Sequence, residues 1–192
     1  FQYAIGEKNL FDGIYQLPPA HALIVVNGEV KVWRYWDVSY EIDYDSPPDY
    51  FYERLRELVQ DSISLHCRSD VPIGSYLSGG IDSSLIYHLA REQNLVESAA
   101  FHGKFTDLPG YDESNFAEAS VDYAGGTLHS VDIGQSDFLK HISEIIYFLD
   151  HPVAGPGAFP QFMVSNLASQ HTKVVLGGQG GDEIFGGYAR YV

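Results

Sequence analysis

Downstream of Pro48, four short β-rich runs, residues 71–77, 99–105, 127–133 and 173–176, are separated by segments long enough to form helices. Successive strands with a helix between them lie parallel in one sheet and are joined by right-handed crossovers. The helical segments are 49–67, 83–93, 112–124, 137–149 and 160–170. In the first of them Phe51, Leu55, Leu58, Val59, Ile63 and Leu65 form an apolar stripe that should pack on the sheet. Gly125-Gly126 stands where a left-handed cap would end the third helix. The expected fold class is α/β, an open parallel sheet flanked by helices. Such sheets bind ligands outside the carboxyl ends of their strands, where the strand order reverses. Residues 1–46 read differently. Segments 22–26 and 30–36 alternate apolar and polar residues and are set off by Pro18-Pro19 and Asn27-Gly28, the pattern of hairpin strands. The domain boundary is expected near Pro48, giving segments 1–46 and 47–192.

The run Ser78-Gly79-Gly80-Ile81-Asp82-Ser83-Ser84 sits where the 71–77 strand turns into a helix beginning near Ser83. Gly79 and Gly80 let backbone amides approach an anion, Ser78 and Ser83 add hydroxyl donors, and the helix start adds unpaired N–H groups. Asp82 would repel a phosphate unless a cation such as Mg²⁺ bridges the two. Gly177-Gly178-Gln179-Gly180-Gly181-Asp182-Glu183 also follows a strand. If the two strands are neighbours at the switch point, Asp82 and Asp182 face each other across one site and can share the metal. Plainer alternatives remain: a polar turn in which Ser or Asp caps the first helix, and a tight glycine turn in which Asp182 caps a helix starting near Glu183. Gly186-Gly187-Tyr188 extends the same surface or marks a kink or close packing contact.

Composition narrows the function classes. A net charge of −15 with 11 basic residues argues against a nucleic-acid or anionic-membrane surface. No apolar run approaches the roughly 20 residues needed to span a bilayer. The single cysteine, Cys67, excludes an internal disulfide framework and a four-cysteine metal site, and fits a reducing cytoplasm. Its place late in an apolar helix points to burial. The eight histidines lack the i to i+4 spacing of a helical zinc site. No Gly-Lys-Ser/Thr occurs, which disfavours a Walker-type kinase or GTPase.

Together, Ser78 to Ser84, Tyr111-Asp112-Glu113-Ser114, Gly155-Pro156-Gly157 and residues 174–188 resemble the synthetase domain of glutamine-dependent, glutamine-hydrolysing asparagine synthetases. Leu17-Pro18-Pro19, His21 and Arg34-Tyr35-Trp36-Asp37 resemble the end of that family's N-terminal glutaminase domain. The resemblance implies that 47–192 is the core of an ATP-pyrophosphatase domain of the adenine nucleotide alpha hydrolase type. It likewise implies that 1–46 are the last strands of an N-terminal nucleophile, class II amidotransferase domain. The implied reaction amidates aspartate: its carboxylate attacks the α-phosphate of ATP to give β-aspartyl-AMP and pyrophosphate, and ammonia from glutamine then displaces AMP. By the same resemblance Ser78, Gly79, Gly80, Asp82 and Ser83 hold the pyrophosphate, with Mg²⁺ on Asp82 and Asp182. Tyr76, Leu77 and the backbone around His102, Gly177 and Gly178 border adenosine. No nucleic acid or membrane partner is implied, and a homodimer is implied only for a full-length enzyme. Another carboxylate-adenylating enzyme, of the β-lactam synthetase kind, and a non-catalytic nucleotide-binding module remain alternatives.

Three departures stand out. Gln179 occupies the position of a glutamate thought to assist proton removal from ammonia, and a glutamine cannot act as a base at neutral pH. Asp150-His151-Pro152 stands where Asp-Glu-Pro is common. Finally, residue 1 is Phe1 where the family's glutaminase has a cysteine, and the sequence ends at Val192, so an inactive fragment of a larger enzyme, without glutamine hydrolysis, is expected.

Overall fold

The computed structural model describes residues 6, 9–97, 99–108, 110–150, 155 and 157–188. A hairpin comes first: β1 (His21–Val26) pairs antiparallel with β2 (Glu29–Arg34), with Val26 opposite Glu29. Asn27 and Gly28 form the turn with φ of 52° and 84°, the doubly left-handed backbone that a two-residue hairpin requires. Ile24, Val25, Val30 and Trp33 on this hairpin are exposed.

The remaining elements alternate as expected: α1 (Pro48–His66), β3 (Ile73–Tyr76), α2 (Ile81–Glu92), β4 (Ala99–Lys104), α3 (Ser114–Ala124), β5 (Thr127–Asp132), α4 (Gln135–Leu149), α5 (Ala158–Ser169), β6 (Val174–Leu176) and the short α6 (Gly181–Phe185). The strands form one parallel sheet in the order β5-β4-β3-β6. The chain steps outward from β3 through β4 to β5 and then returns to the other side of β3. The order therefore reverses between β3 and β6, which are adjacent in register from Ile73↔Val174 to Ser75↔Leu176.

Side chains alternate across β4, and each face has its own cover. Ala100 packs with Leu77, Tyr87, Ala117 and Val121 under α2 and α3. Phe101 points the other way, toward His129 of β5 and His171 beyond α5. A Cβ at Gly74 would lie 2.6 Å from the Phe101 ring, so a glycine in β3 makes room for this aromatic. On the same face a Cβ at Gly103 would meet Val164 of α5 at 3.1 Å.

Helix α1 departs from expectation. Only Ile63 of its stripe is buried, where it joins Cys67, Ile73, Ala90 and Val96, while Phe51, Leu55, Leu58 and Leu65 are exposed. The helix meets the sheet through its C-terminal turns alone, and its main neighbour is α2. Cys67 is buried as expected, and burial raises its thiol pKa. The cap of α3 also follows the sequence: Gly125 adopts φ 67°, ψ 49°, and Gly126 N–H donates to Val121 O at 3.0 Å. Helix α4 begins two residues before the expected Asp137 because the Asp137 carboxylate reaches back to accept from Gly134 N–H at 3.0 Å.

Candidate functional site

Leaving β3, the chain turns at Ser78 and Gly79 and enters α2 behind Gly80. Gly79 has φ +96°, and a Cβ there would stand 2.7 Å from Glu113 O, so both conformation and packing demand glycine. No side chain caps α2, which removes the plain capping explanation for Ser78, Asp82 and Ser83. The first intrahelical bond is Ser84 N–H to Gly80 O at 3.1 Å, and the preceding amides of Ile81, Asp82 and Ser83 open the helix without such partners. Ser78 and Ser83 meet through their hydroxyls at 2.9 Å. Ser78 N–H donates to Ser83 Oγ and Gly80 N–H to Ser78 Oγ, both at 3.2 Å. The two hydroxyls thus occupy the loop's own donors, Ser78 N–H and Gly80 N–H.

Because β6 lies beside β3, the Gly177–Gly181 loop emerges next to Ser78. The approach is close: a Cβ at Gly178 would be 2.9 Å from Ser83 N and 3.0 Å from Asp82 C. A Cβ at Gly181 would be 2.7 Å from Asp82 Cγ, so the Asp82 carboxylate rests over the second loop. Helix α6 has Gly180 at its N-cap with φ 102°, and Asp182 lies in its first turn without capping it. Between the loops is a cavity of about 340 Å³ whose walls include Ser78, Asp82, Ser83, Gln179, Asp182 and Glu183. The expected pair Asp82 and Asp182 is thereby brought to one cavity, each half-buried, and among the described residues no Lys or Arg stands on its wall. Tyr188 OH donates to Glu183 Oε1 at 2.7 Å.

Next to it is a smaller cavity of about 210 Å³, bounded by Tyr76, Leu77, His102, Gly103, Tyr111 and Val164. The two share Tyr76, Ser78 and Gln161. Tyr76 OH is 2.8 Å from Ser165 Oγ, to which Gln161 Nε2 donates at 3.2 Å, so this shared ridge is held from α5. Of the five residues expected together around adenosine, Tyr76, Leu77 and His102 line the smaller cavity, whereas Gly177 and Gly178 line the larger one. The His102 imidazole faces protein partners on both nitrogens: Nδ1–H donates to Leu77 O at 2.8 Å, and Nε2 lies 3.1 Å from Ser114 Oγ. Ser114 Oγ donates in turn to Asp112 Oδ1 at 2.5 Å, which lowers the Asp112 pKa. A third, apolar cavity of about 410 Å³ lies behind the second loop between α1, α2 and α6, and Gln179 stands on its wall as well.

Glu183, Gln161 and the side chains of Asp112 and Ser114 join the site without having been singled out for it. The sequence signal was partial, since Glu183, Asp112 and Ser114 lie inside motifs already noted, while Gln161 carries none. His151 and Pro156 lie outside the described residues. Among the described residues no group of three or more His, Cys, Asp or Glu is arranged to hold a metal. Two carboxylates on one cavity wall are a donor set of the kind that suits Mg²⁺, a hard cation that prefers oxygen ligands and keeps much of its water.

The sequence model of the asparagine synthase family matches residues 54–192. The chain belongs to the asparagine synthase family. A putative glutamine-hydrolysing asparagine synthetase of Mycobacterium tuberculosis (strain ATCC 25618 / H37Rv) is 39% identical over 140 residues, covering 73% of this chain and 21% of the relative. Asparagine synthetase 1 (glutamine-hydrolysing) of Bacillus subtilis (strain 168) is 31% identical over 198 residues, covering 100% of this chain and 30% of the relative. The amidase chry2 of Gibberella zeae is 27% identical, covering 97% of this chain and 30% of its own length. The chain therefore spans a fifth to a third of the length of these relatives. The parallel sheet with its flanking helices is the asparagine synthase domain in this chain.

Proposed function

We propose that the two glycine-rich loops hold the phosphates of ATP together with Mg²⁺, and that the protein uses them to adenylate a carboxylate, that of aspartate by family expectation. The observation that carries this reading is the meeting of Asp82, Asp182 and Glu183 at a cavity that also offers hydroxyls and helix-start amides and, among the described residues, has no Lys or Arg on its wall. Alone, those carboxylates would repel a polyphosphate. With Mg²⁺ held by Asp82 and Asp182, the bound ion would neutralise charge building on the departing phosphates. Ser78 and Ser83 would exchange their mutual hydrogen bond for phosphate oxygens, and the amides around Gly79 and Gly80 would donate beside them. Adenosine would enter the smaller, largely apolar cavity past Tyr76 and Leu77.

In this reading a carboxylate oxygen bonds to the α-phosphorus as the bond to pyrophosphate breaks. Ammonia then attacks the acyl carbon, the bond from that carbon to the AMP phosphate oxygen breaks so that AMP leaves, and the nitrogen gives up its extra proton to solvent. Gln179 donates and accepts hydrogen bonds but takes no proton at neutral pH, so its role is to position. Residues 1–46 belong, in the same reading, to the end of a glutaminase domain and 47–192 to the ATP-pyrophosphatase core, in a cytoplasmic enzyme that dimerises when full-length. Pyrophosphate release by the full-length protein with Mg·ATP and aspartate tests it. Aspartate-stimulated release that Asp82→Asn abolishes is the expected result, and unchanged release in that variant refutes the assignment.

A second reading keeps the adenylation and changes the acid. Gln179 in place of the family's glutamate, and a relative named as an amidase, favour it. Comparing which carboxylic acids stimulate release separates the two. A non-catalytic nucleotide-binding module would bind Mg·ATP and release nothing in the same assay.

A further inference from the structure

Leu77 is the last residue before the Ser78 loop, and it is fully buried. The register of β3 with β4 ends at Tyr76↔Phe101, and Leu77 N–H still reaches Phe101 O at 2.9 Å. Its carbonyl then needs a donor in a place where the strand pairing stops, because a buried unpaired carbonyl is costly. His102 supplies that donor from a side chain, through Nδ1–H at 2.8 Å. The substitution of imidazole for a strand amide lets the chain leave the sheet at this point while its last residue stays anchored.

The anchor is itself held. His102 and Ser114 are 3% and 6% exposed, and Nε2 lies 3.1 Å from Ser114 Oγ. Asp112 Oδ1 accepts from both Ser114 Oγ, at 2.5 Å, and Ser114 N–H, at 3.2 Å. The same turn also touches the loop directly, since Glu113 O stands 2.7 Å from where a Cβ of Gly79 would be. The loop is thus held at two points, at Leu77 by His102 of β4 and at Gly79 by the turn that opens α3.

We propose that His102, Ser114 and Asp112 are positioning residues that fix the Ser78–Gly80 loop in its phosphate-holding shape by acting through the Leu77 carbonyl. The phosphate-holding part rests on the function proposed above. The bracing of the loop stands on the hydrogen bonds alone. Asparagine at position 102 can still present a donor near the Nδ1 position, whereas leucine cannot.

The test compares His102→Leu, His102→Asn and Asp112→Ala with the wild type in the full chain, by amide hydrogen exchange and by titration with magnesium pyrophosphate. Exchange at Gly79 and Gly80 is expected to quicken about tenfold in His102→Leu, and to stay within about threefold of wild type in His102→Asn. Asp112→Ala, at an exposed position, should fold normally and quicken exchange about threefold; it decides the matter should His102→Leu fail to fold. Magnesium pyrophosphate affinity should fall in parallel with loop exchange. Wild-type exchange at these amides in His102→Leu, or equal damage from leucine and asparagine, overturns the proposal. If the loop loosens as expected while the wild type binds no pyrophosphate, the bracing stands and the functional reading fails; if the wild type binds pyrophosphate and exchange never changes, the reverse holds.

Discussion

At Gly178 one added methyl group decides whether the two loops can share a cavity. The atoms it would meet, Ser83 N at 2.9 Å and Asp82 C at 3.0 Å, are backbone and cannot swing aside. Gly178→Ala is therefore expected to push the second loop off the start of α2, destabilising the fold by about 1–3 kcal/mol and weakening magnesium pyrophosphate binding at least about tenfold. Urea unfolding and calorimetry measure the two effects. Gly177→Ala is the contrast. Its Cβ would meet the Tyr76 ring at an ordinary 3.7 Å, so stability should stay within about 0.5 kcal/mol of wild type. The glycine-rich runs were legible in the sequence, but which glycine is indispensable was not, because that depends on a neighbour from another strand. His102 shows the same limit. Its position beside the site was legible, while the job of its imidazole depends on Leu77 and Ser114, which only the fold brings within reach.

Among the elements, α3 ends as its sequence dictates. Gly125 holds φ +67° with open space around a would-be Cβ, so Gly125→Ala carries a purely conformational penalty of about 1 kcal/mol, readable from its urea midpoint. The contact between β5 and the end of α5 offers a pH test. The rings of His129 and His171 lie with centroids 4.0 Å apart and planes tilted by 36°, and burial, then the neighbouring His171, lowers the His129 pKa. A histidine with a depressed folded pKa adds stability above its unfolded value, about 6.5, and loses it as pH falls below that. The thermal midpoint should therefore drop between pH 7.5 and about 5.5 in the wild type, and drop less in His129→Phe, which keeps a ring against His171. An equal drop in both chains would remove His129 as the cause. Sequence spacing did not reveal this pair, because i to i+4 logic sees one helix at a time. Helix α1 failed for a related reason: periodicity shows which face is apolar, not what covers it, and Phe51, Leu55 and Leu58 remain exposed.

For the molecule as a whole, strand order matters more than any one contact. The alternation of strands and helices was enough to read an open parallel sheet, and the glycine runs after two of its strands were enough to suggest a shared site. What the sequence left conditional was adjacency, and β6 beside β3 supplies it by placing the reversal of strand order between the two loops. In the proposed reading, a chain of net charge −15 whose cavity wall has no Lys or Arg among the described residues recruits a cation in order to hold a polyphosphate. Calorimetric titration with ATP, in Mg²⁺ and again in excess EDTA, on the wild type, Asp82→Asn and Asp182→Asn, tests that claim most directly. Binding is expected only with Mg²⁺ and weakened at least about tenfold in each variant, with folding confirmed by circular dichroism. Equal affinity in EDTA, or wild-type affinity in both variants, would contradict a metal-bridged phosphate site between the two loops.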